Sequence, residues 1–387
     1  MNQRIGKLRR DFRYLKRGVF PPDSIDEFTF GRNTEMAAVE SHLNDVAGGP
    51  TRHIFVQGAY GCGKSHFLKA VEATALRRGF AVSWVTLDGH NHACNHPTRY
   101  FHSFLENLRV PDFPLRGLSS LVSLWLRGER ADPVVTWAKQ SSSWWPSVPI
   151  LAYQRTLKEI GSACRPSAVI ESRDIANRGG RLWFDTVSQR MQATAALLRA
   201  AGCRGVVYLF DELETVATLL STVRQRFLCY QFLNMLIDGR KRSHCMFVFA
   251  ATPDFGNKLE LDRISKAIYA GEYPEGWRFI QKWCASSVES IFLRKLGRND
   301  AVNLCRHIRC NHEEAFMWSM DGQFSDEFLH AFVGETERLN MSIREMVKAF
   351  VYLLEVAEQH RSADVEGALT RLWSIETDDD SRSQHSG

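Results

Sequence analysis

The sequence predicts an α/β fold in which a parallel β-sheet core is followed by a helical domain. Three observations predict it. An apolar run at 54–56 leads through a glycine-rich loop into a helical pattern. Two further apolar runs, at 206–210 and 245–251, end in polar residues, as strands buried on both faces of a parallel sheet do. Beyond residue 273 the pattern is helical, and the length of 387 residues allows two or three structural units.

The glycine-rich loop has the spacing of a phosphate-binding P-loop. It comprises Gly58, Ala59, Tyr60, Gly61, Cys62, Gly63, Lys64 and Ser65, with His66 opening the helix that follows. The glycines allow successive backbone N–H groups to close around phosphate oxygens, and the helix N-terminus adds partial positive charge. Lys64 is expected to reach the β- and γ-phosphates, and the Ser65 hydroxyl is expected to coordinate Mg²⁺. The loop therefore predicts a nucleoside triphosphate site with ATP and Mg²⁺ as cofactors.

A pair of carboxylates follows the apolar run at 206–210. Asp211 is expected to hold Mg²⁺, directly or through water, and Glu212 is expected to polarise the attacking water as a general base. An apolar run that ends in Asp-Glu is common by itself. Together with a P-loop some 150 residues upstream it predicts in-line hydrolysis of the γ-phosphate.

Two more polar residues have the position expected of phosphate sensors. Thr252 ends the run at 245–251, where it is expected to sense the γ-phosphate or orient the water. The competing interpretation is a threonine that ends a strand before the turn at Pro253. Arg344 lies in the first turn of a capped late helix, from which it is expected to reach the phosphates, with an ordinary surface arginine as the alternative.

The segment before the first strand is expected to fold over the nucleotide base. Phe30, Gly31 and Arg32 open a helical pattern there and are candidates for adenine contacts, with Gly31, Arg32 and His66 counted among the cofactor-binding residues. By itself this segment is a turn that opens a helix. Another short apolar strand is predicted at 81–87.

The first 17 residues carry seven cations against one acid and have apolar residues at helical spacing. They predict an amphipathic helix whose arginine-rich face can lie along a phosphate backbone, which makes DNA a candidate partner. The alternative is a solvated helix packed on the rest of the protein. The net charge of +5 permits a nucleic-acid partner without requiring one.

Cysteine and histidine usage favours a reducing cytoplasm and disfavours a zinc site. Nine cysteines are scattered without a disulfide framework, and no long apolar span indicates a membrane segment. Two groups lack the paired spacing of structural zinc ligands. The groups are His90, His92, Cys94 and His96, and Cys305, His307, Cys310 and His312.

Composition divides the chain into four predicted parts. These are a basic helix at 1–17, a core at 18–272, a helical lid at 273–375 and an acidic tail at 376–387 that is expected to be disordered. Inside the core, the stretch at 111–178 departs from strand–helix alternation. It contains four of the ten tryptophans within 125–145 and predicts an insertion packed by aromatic burial.

Several of these motifs, taken in chain order, resemble those of the ATP-binding proteins of BREX-type phage-defence loci. The motifs are Gly31-Arg32-x-x-Glu35, 58–68, 209–215, 250–255 and 342–345. The BrxD-like branch is similar in turn to the AAA+ ATPases of the origin-recognition and Cdc6 group. The resemblance spans roughly residues 18–360 and rests on short, separate sequence motifs. It implies an AAA+-like P-loop NTPase with a helical lid, and Cys62 departs from it where the family often has serine.

The resemblance also implies the role of each site residue. Lys64 and Ser65 correspond to the Walker A motif, and Asp211 and Glu212 correspond to the Walker B motif. Thr252 corresponds to the sensor-1 position and Arg344 to the sensor-2 position. It implies protein partners in a defence complex and a homo-oligomer in which one subunit supplies an arginine to the next. Arg224, Arg226 and Arg263 are the candidates for that arginine.

Two other functions remain open. One is a nucleotide-dependent switch or scaffold with negligible turnover, which Glu212 disfavours because a switch needs no base at that position. The other is a DNA-loading or transposition-accessory ATPase.

Overall fold

The computed structural model describes residues 2–87, 95–160, 182–239, 242–319, 322 and 324–359. His90, His92 and Cys94, residues 161–178 of the predicted insertion, and the tail at 376–387 lie outside the described residues. The predictions made for them therefore stay predictions.

Five parallel strands form one sheet in the order β2-β3-β4-β1-β5. The strands are Arg52–Gln57 (β1), Ala81–Thr86 (β2), Val206–Asp211 (β3), Cys245–Ala251 (β4) and Ser290–Phe292 (β5). The side chains of β3 and β4 are buried along their whole length, as their unbroken apolar sequences predict. The predicted parallel α/β core is confirmed, and β5 is a short addition to the four strands expected.

Helices connect and follow these strands. In chain order the α-helices are Asn2–Leu15 (α1), Asn33–Gly48 (α2), Lys64–Arg77 (α3), Pro97–Glu106 (α4), Leu118–Leu126 (α5), Ala131–Gln140 (α6), Trp144–Ile160 (α7), Leu182–Ala200 (α8), Thr215–Leu219 (α9), Val223–Ile237 (α10), Pro253–Ser265 (α11), Pro274–Cys284 (α12), Arg298–Phe316 (α13), Asp326–Arg338 (α14) and Ile343–Gln359 (α15). Short 3-10 helices occur at Pro22–Phe28 and Ala267–Tyr269.

The chain forms two compact units. The sheet unit comprises Thr34–Ala59 and Phe67–Leu293, and the helical unit comprises Met1–Asn33, Tyr60–His66 and the residues from Arg294 onward. Each unit has its own apolar core. In the sheet unit a stack of aromatic rings crosses the sheet, with the ring centroids of Phe210 and Phe249 4.6 Å apart and the ring planes inclined by 29°.

The described part of the aromatic-rich segment packs on the sheet unit. Trp125 and Trp145 are buried, and Phe101 meets the Trp145 ring edge-on with 5.4 Å between the ring centroids. Trp137 is half-buried and packs against the same core, whereas Trp144 is 61% exposed. Aromatic burial therefore accounts for three of the four tryptophans that the sequence singled out.

The core of the helical unit lies among α1, α13, α14 and α15. Leu8, Phe12 and Leu15 of α1 are buried in it, and the Phe12 ring meets the His312 ring edge-on at 4.9 Å. The N-terminal helix is therefore anchored on this unit by its apolar side. Within the part of the chain that the structure describes, no helix is both long enough and apolar enough to cross a membrane.

Candidate functional site

The two predicted acidic residues lie at the carboxyl edge of the sheet. Asp211 is the last residue of β3 and is buried, and Glu212 follows it with an exposed side chain. Glu212 has φ 60°, in the left-handed region that a residue with a Cβ rarely adopts, and its N–H donates to Asp211 Oδ1 at 3.0 Å. The two neighbouring carboxylates therefore differ in exposure, Asp211 being buried and Glu212 exposed.

Thr252 lies on the neighbouring strand at the same edge. It directly follows β4 and is the residue before the first turn of α11. Its hydroxyl is buried and has no hydrogen-bond partner among the described residues. A buried hydroxyl without a partner is unfavourable by about 1–3 kcal/mol, so the position is suited to a group that accepts or donates a hydrogen bond there.

The glycine-rich loop begins at this edge. Gly58 directly follows β1, and its N–H donates to the carbonyl of Ala251 at the end of β4, at 3.2 Å. Gly58 and Thr252 thus follow β1 and β4, Asp211 ends β3, and these three strands are adjacent in the sheet. In open parallel sheets ligands bind at the carboxyl ends of the strands, where these residues lie.

The remainder of the loop, Tyr60–His66, belongs to the helical unit. Gly61 has φ +78° and Gly63 has φ +94°, and a Cβ built at Gly63 would meet nothing within 4 Å. These two positions need glycine for backbone conformation, since neither is crowded by a neighbour closer than 3.8 Å. Lys64 begins α3 and is buried, Ser65 is exposed, and Tyr60 is 90% exposed.

Arg32 is buried and is hydrogen-bonded to the glycine-rich loop, a role here called a loop brace. Its Nη2 donates to the carbonyl of Cys62 at 3.0 Å and to the carbonyl of Arg294 at 2.7 Å. The preceding Gly31 has φ +63°, and a Cβ there would lie 2.4 Å from a carboxylate oxygen of Asp300. The sequence assigned Arg32 to adenine; the structure shows its guanidinium bonded to two backbone carbonyls, one of them in the loop.

His66 is held in one tautomer. The Thr29 hydroxyl donates to the carbonyl of Ile25 at 2.8 Å and lies 3.0 Å from His66 Nε2, so Nε2 carries the proton and donates to it. The Phe20 ring meets the imidazole edge-on at 4.5 Å. Burial, followed by the charge of Arg32, lowers the pKa of His66 to about 4, so the side chain is neutral at physiological pH.

Arg344 is exposed in the first turn of α15. Ser342 and Glu345 form a capping pair at the start of this helix, with the Ser342 N–H donating to Glu345 Oε2 at 2.6 Å. A Cβ built at Gly61 would lie 3.8 Å from the Cβ of Ser342, so the N-terminus of α15 adjoins the glycine-rich loop. Arg344 itself packs against Gly18, whose added Cβ would lie 2.4 Å from Arg344 Cγ.

Of the three candidate arginines for a neighbouring subunit, Arg226 was a wrong choice. Its Nε and Nη2 donate to the two carboxylate oxygens of Asp262 at 2.9 and 3.0 Å, and only 4% of its surface is exposed. Arg263 is exposed and pairs with Glu260 at 2.5 Å, and Arg224 is exposed. Sequence reasoning missed the burial of Arg226 because its partner is 36 residues away on another helix.

Glu214 is a functional candidate that the sequence interpretation passed over. Its Oε2 accepts a hydrogen bond from the backbone N–H of Thr252 at 3.1 Å. The available signal was the last acid in Asp-Glu-Leu-Glu, two residues after Glu212.

Among the described residues, no group of three or more His, Cys, Asp or Glu side chains could hold a metal ion.

The strand order, the glycine-rich loop after β1 and the two acids at the end of β3 define a P-loop nucleotide-binding fold. The sequence belongs to the family of BREX system ATP-binding proteins BrxC/D. The model of that family matches residues 9–142 and 176–372. The resemblance read from the motifs is thereby confirmed, and ATP binding is the property that the family description names.

Two solved structures are similar to this chain at low sequence identity. The Walker-type ATPase PABY2304 of Pyrococcus abyssi is 12% identical, with 92% of this chain and 77% of that chain covered and a TM-score of 0.42. The ORC2 protein of Aeropyrum pernix, in ADPNP–ADP complexes, is 14% identical, with 85% and 64% covered and a TM-score of 0.38. No curated protein is similar enough to count as a match.

Proposed function

We propose that this BREX-family protein hydrolyses ATP with the help of Mg²⁺. The observation that carries the proposal is the edge of the sheet, where Asp211 ends β3 and Glu212 follows it, Thr252 follows β4 and the glycine-rich loop starts at Gly58 after β1. Strand adjacency thus supplies an acid pair, a polar sensor and the beginning of a phosphate loop. Phosphoryl transfer needs these parts, since its catalysis is mostly positioning and charge stabilisation.

The loop residues bind the triphosphate in this proposal. Backbone N–H groups of 58–63 and the N-terminus of α3 face the phosphates, and Lys64 neutralises the β- and γ-phosphate charge. Arg344, at the start of α15, is the second phosphate sensor. The segment at Gly31 contacts the adenine in this proposal, and His66 is counted among the cofactor-binding residues.

The donor set fits Mg²⁺. Mg²⁺ prefers oxygen ligands, keeps several waters and is usually bound through one or two carboxylates together with substrate phosphates. The Asp211 carboxylate and the Ser65 hydroxyl are oxygen donors of this kind. When bound, the ion neutralises charge that develops on the phosphate oxygens.

Glu212 acts as the general base. In this proposal its carboxylate, which is exposed and directly follows the last residue of β3, accepts a proton from the attacking water. Thr252 orients that water or the γ-phosphate through its hydroxyl, which has no partner among the residues that the structure describes. Turnover is slow in a lone monomer because an arginine of a neighbouring subunit completes the site, with Arg263 and Arg224 as the remaining candidates.

Steady-state ATP hydrolysis tests this proposal. We expect Glu212→Gln to bind ATP and lose turnover by about 100-fold or more, as removal of a general base does. Lys64→Ala is expected to lose ATP binding itself. Glu129→Gln removes an exposed carboxylate between α5 and α6 and serves as the matched control, with unchanged turnover. Equal turnover of Glu212→Gln and wild type would overturn the assignment of the base.

A nucleotide-dependent switch is the rival function. It is favoured if wild type and Glu212→Gln both bind ATP and neither hydrolyses it, with or without duplex DNA and at every protein concentration. Turnover that rises with protein concentration supports a homo-oligomer with a shared arginine.

We also propose that the ATPase cycle drives or regulates a DNA-associated assembly in cytoplasmic anti-phage defence. The family supports the defence role, and the seven cations of the first 17 residues support DNA as a partner. The protein partners would belong to the same defence complex. A DNA-loading or transposition-accessory role is an alternative within this proposal, favoured if ATP hydrolysis transfers another protein onto DNA.

A further inference from the structure

We propose that one face of α1 binds the phosphate backbone of duplex DNA through Arg10, Arg13 and Arg17, here called the arginine stripe. The inference rests on the proposed DNA association and names the residues that would carry it. It does not depend on ATP hydrolysis.

The helix that carries the stripe is fixed on the protein. Leu8, Phe12 and Leu15 are buried in the core of the helical unit, where α1 packs on α13 and α15. The buried Asp11 accepts a hydrogen bond from the Ser24 hydroxyl at 2.7 Å. Because this side is anchored, the backbone of α1 is fixed on the helical unit, and the Cα atoms of the residues on the opposite side keep a constant spacing.

The other cations of α1 and the turn after it are already engaged. Arg9 donates from Nε to the carbonyl of Ala315 at 2.8 Å and is thereby removed from the candidates for DNA binding. The remaining three are neutralised by glutamates. These ion pairs are Arg4–Glu314, Lys7–Glu27 and Lys16–Glu355.

The arginine stripe has no such partners. The side chains of Arg10, Arg13 and Arg17 are exposed and make no hydrogen bond or ion pair with any residue that the structure describes. Their spacing of three and four residues puts side chains on the same side of a helix, and Arg17 lies in the turn that directly follows α1. Three unneutralised arginines therefore line one side of an anchored helix.

A glycine continues this face toward the N-terminus. Gly6 precedes Arg10 by four residues, is exposed, and has open space within 4 Å of where a Cβ would be. Glycine inside a helix is less stable than alanine by about 1 kcal/mol, and no described residue occupies the space. A glycine there leaves room for another molecule to approach the helix backbone closely. Tyr14, 44% exposed beside the stripe, adds a hydroxyl that can donate to a phosphate.

The charge and geometry favour duplex nucleic acid over an acidic peptide. From Arg10 to Arg17 the helix advances about 10 Å, and along that length duplex DNA presents about six phosphate charges. The planar guanidinium fits phosphate oxygens with two parallel hydrogen bonds. A rigid row of arginines is matched by a rigid polyanion, whereas a flexible peptide would lose conformational entropy on ordering. The contacts are to the backbone, so binding is expected to be independent of sequence.

The test is fluorescence anisotropy of labelled duplex DNA over a range of salt concentrations, with the full chain. We expect the variant Arg10→Gln, Arg13→Gln, Arg17→Gln to weaken binding and to reduce the slope of log K against log salt by about 2 to 3, the value for three lost phosphate contacts. The matched control Arg4→Gln, Lys7→Gln, Lys16→Gln removes the same charge from the paired cations and is expected to keep the wild-type slope.

Three outcomes would overturn the inference. Equal slopes for the stripe variant and wild type would show that DNA binds on another surface and leave DNA association standing. Absence of DNA binding by wild type would overturn both. Tighter binding to polyglutamate or to anionic lipid vesicles than to duplex DNA would assign the stripe to an acidic protein or a membrane surface. A thermal unfolding transition of the stripe variant at the wild-type temperature confirms that the variant is folded.

Discussion

Glu214 Oε2 accepts a hydrogen bond from the backbone N–H of Thr252 at 3.1 Å, and this bond joins the turn after β3 to the end of β4. Glu214 follows Glu212 by two residues, and Thr252 precedes the first turn of α11. A carboxylate at a helix N-terminus is favourable because it meets unpaired N–H groups and the positive end of the helix dipole. The bond also fixes the position of the sensor relative to the general base.

Replacing Glu214 with alanine is therefore expected to lower kcat by about tenfold, because misplacing a positioned group weakens the transition state. KM for ATP is expected to stay close to the wild-type value, since the bond that Glu214 makes is to the backbone N–H of Thr252. Glu214→Gln keeps an oxygen acceptor and is expected to recover much of kcat. Steady-state kinetics with thermal unfolding of each variant measure both effects.

Glu327→Ala is the matched control for Glu214→Ala. Glu327 lies in the first turn of α14, and its pKa is lowered by the Ser325 side chain and its own backbone N–H, so it also stabilises a helix N-terminus. The Glu327→Ala variant is expected to have slightly lower thermal stability and an unchanged kcat. If both variants lower kcat in proportion to their loss of stability, Glu214 has only a structural role.

Arg32 gives a prediction about nucleotide affinity. Since its guanidinium bonds the carbonyls of Cys62 and Arg294, Arg32→Ala is expected to loosen the glycine-rich loop and to weaken ATP binding by about tenfold, the effect of losing charge-assisted hydrogen bonds worth about 1.5–3 kcal/mol. Arg32→Lys is expected to recover little, because one ammonium lacks the planar fork. Titration calorimetry with ATP measures the affinity.

The same variants decide whether Arg32 acts on the loop or on the base. A loop brace affects all nucleoside triphosphates equally, so Arg32→Ala is expected to weaken ATP and GTP by the same factor. A loss confined to ATP would contradict the brace and support the adenine contact that the sequence suggested.

Asp262 is predicted to be a structural residue of the sheet unit. It accepts two hydrogen bonds from Arg226 and a third from the Tyr230 hydroxyl at 2.9 Å, and it is almost fully buried. Asp262→Ala leaves the Arg226 charge buried without a carboxylate, which is expected to lower the free energy of unfolding by about 3–5 kcal/mol. Urea denaturation followed by circular dichroism measures it.

The double variant Arg226→Met, Asp262→Leu separates charge pairing from packing. Replacing a buried ion pair by apolar side chains of similar volume is often neutral, so the double variant is expected to be more stable than Asp262→Ala. If Arg226 completed a neighbouring active site instead, Arg226→Met would abolish turnover at unchanged stability.

The sheet was predictable because its strands have unusual sequences. Strands buried on both faces need unbroken apolar runs, and 206–210 and 245–251 are such runs that end at Asp211 and Thr252. β5 was not predictable in this way. It has three residues, none of them buried, and it is a strand because Phe55 to Gln57 of β1 pair with it.

Side-chain partners could not be predicted at all from spacing. Arg32 and Arg226 are both arginines near predicted site segments, and each was assigned to a ligand or a neighbouring subunit. In the structure each is buried and bonded to groups distant in sequence. A sequence pattern reports local periodicity, whereas a buried cation is stabilised by tertiary contacts that no local pattern encodes.

The pH dependence of stability follows from His312, which is fully buried in the core of the helical unit. Its Nδ1 accepts the Trp318 indole N–H at 3.1 Å, and its Nε2 lies 3.5 Å from a carboxylate oxygen of Glu358. That carboxylate favours a charged imidazole, but burial and the positive charge of Lys16 prevail and lower the pKa of His312 to about 4.

A histidine whose pKa is lower in the folded state binds fewer protons there than in the unfolded chain. Stability from His312 is therefore complete above its unfolded pKa of about 6.5 and is lost as pH falls toward 4. We expect the free energy of unfolding to fall by about 1–2 kcal/mol from this residue between pH 7 and 5. His312→Gln is expected to be less stable than wild type at pH 7 yet to lose less between the two pH values. Urea denaturation of both proteins at both pH values measures the difference, and an equal loss in the two proteins would show that His312 does not titrate in this range.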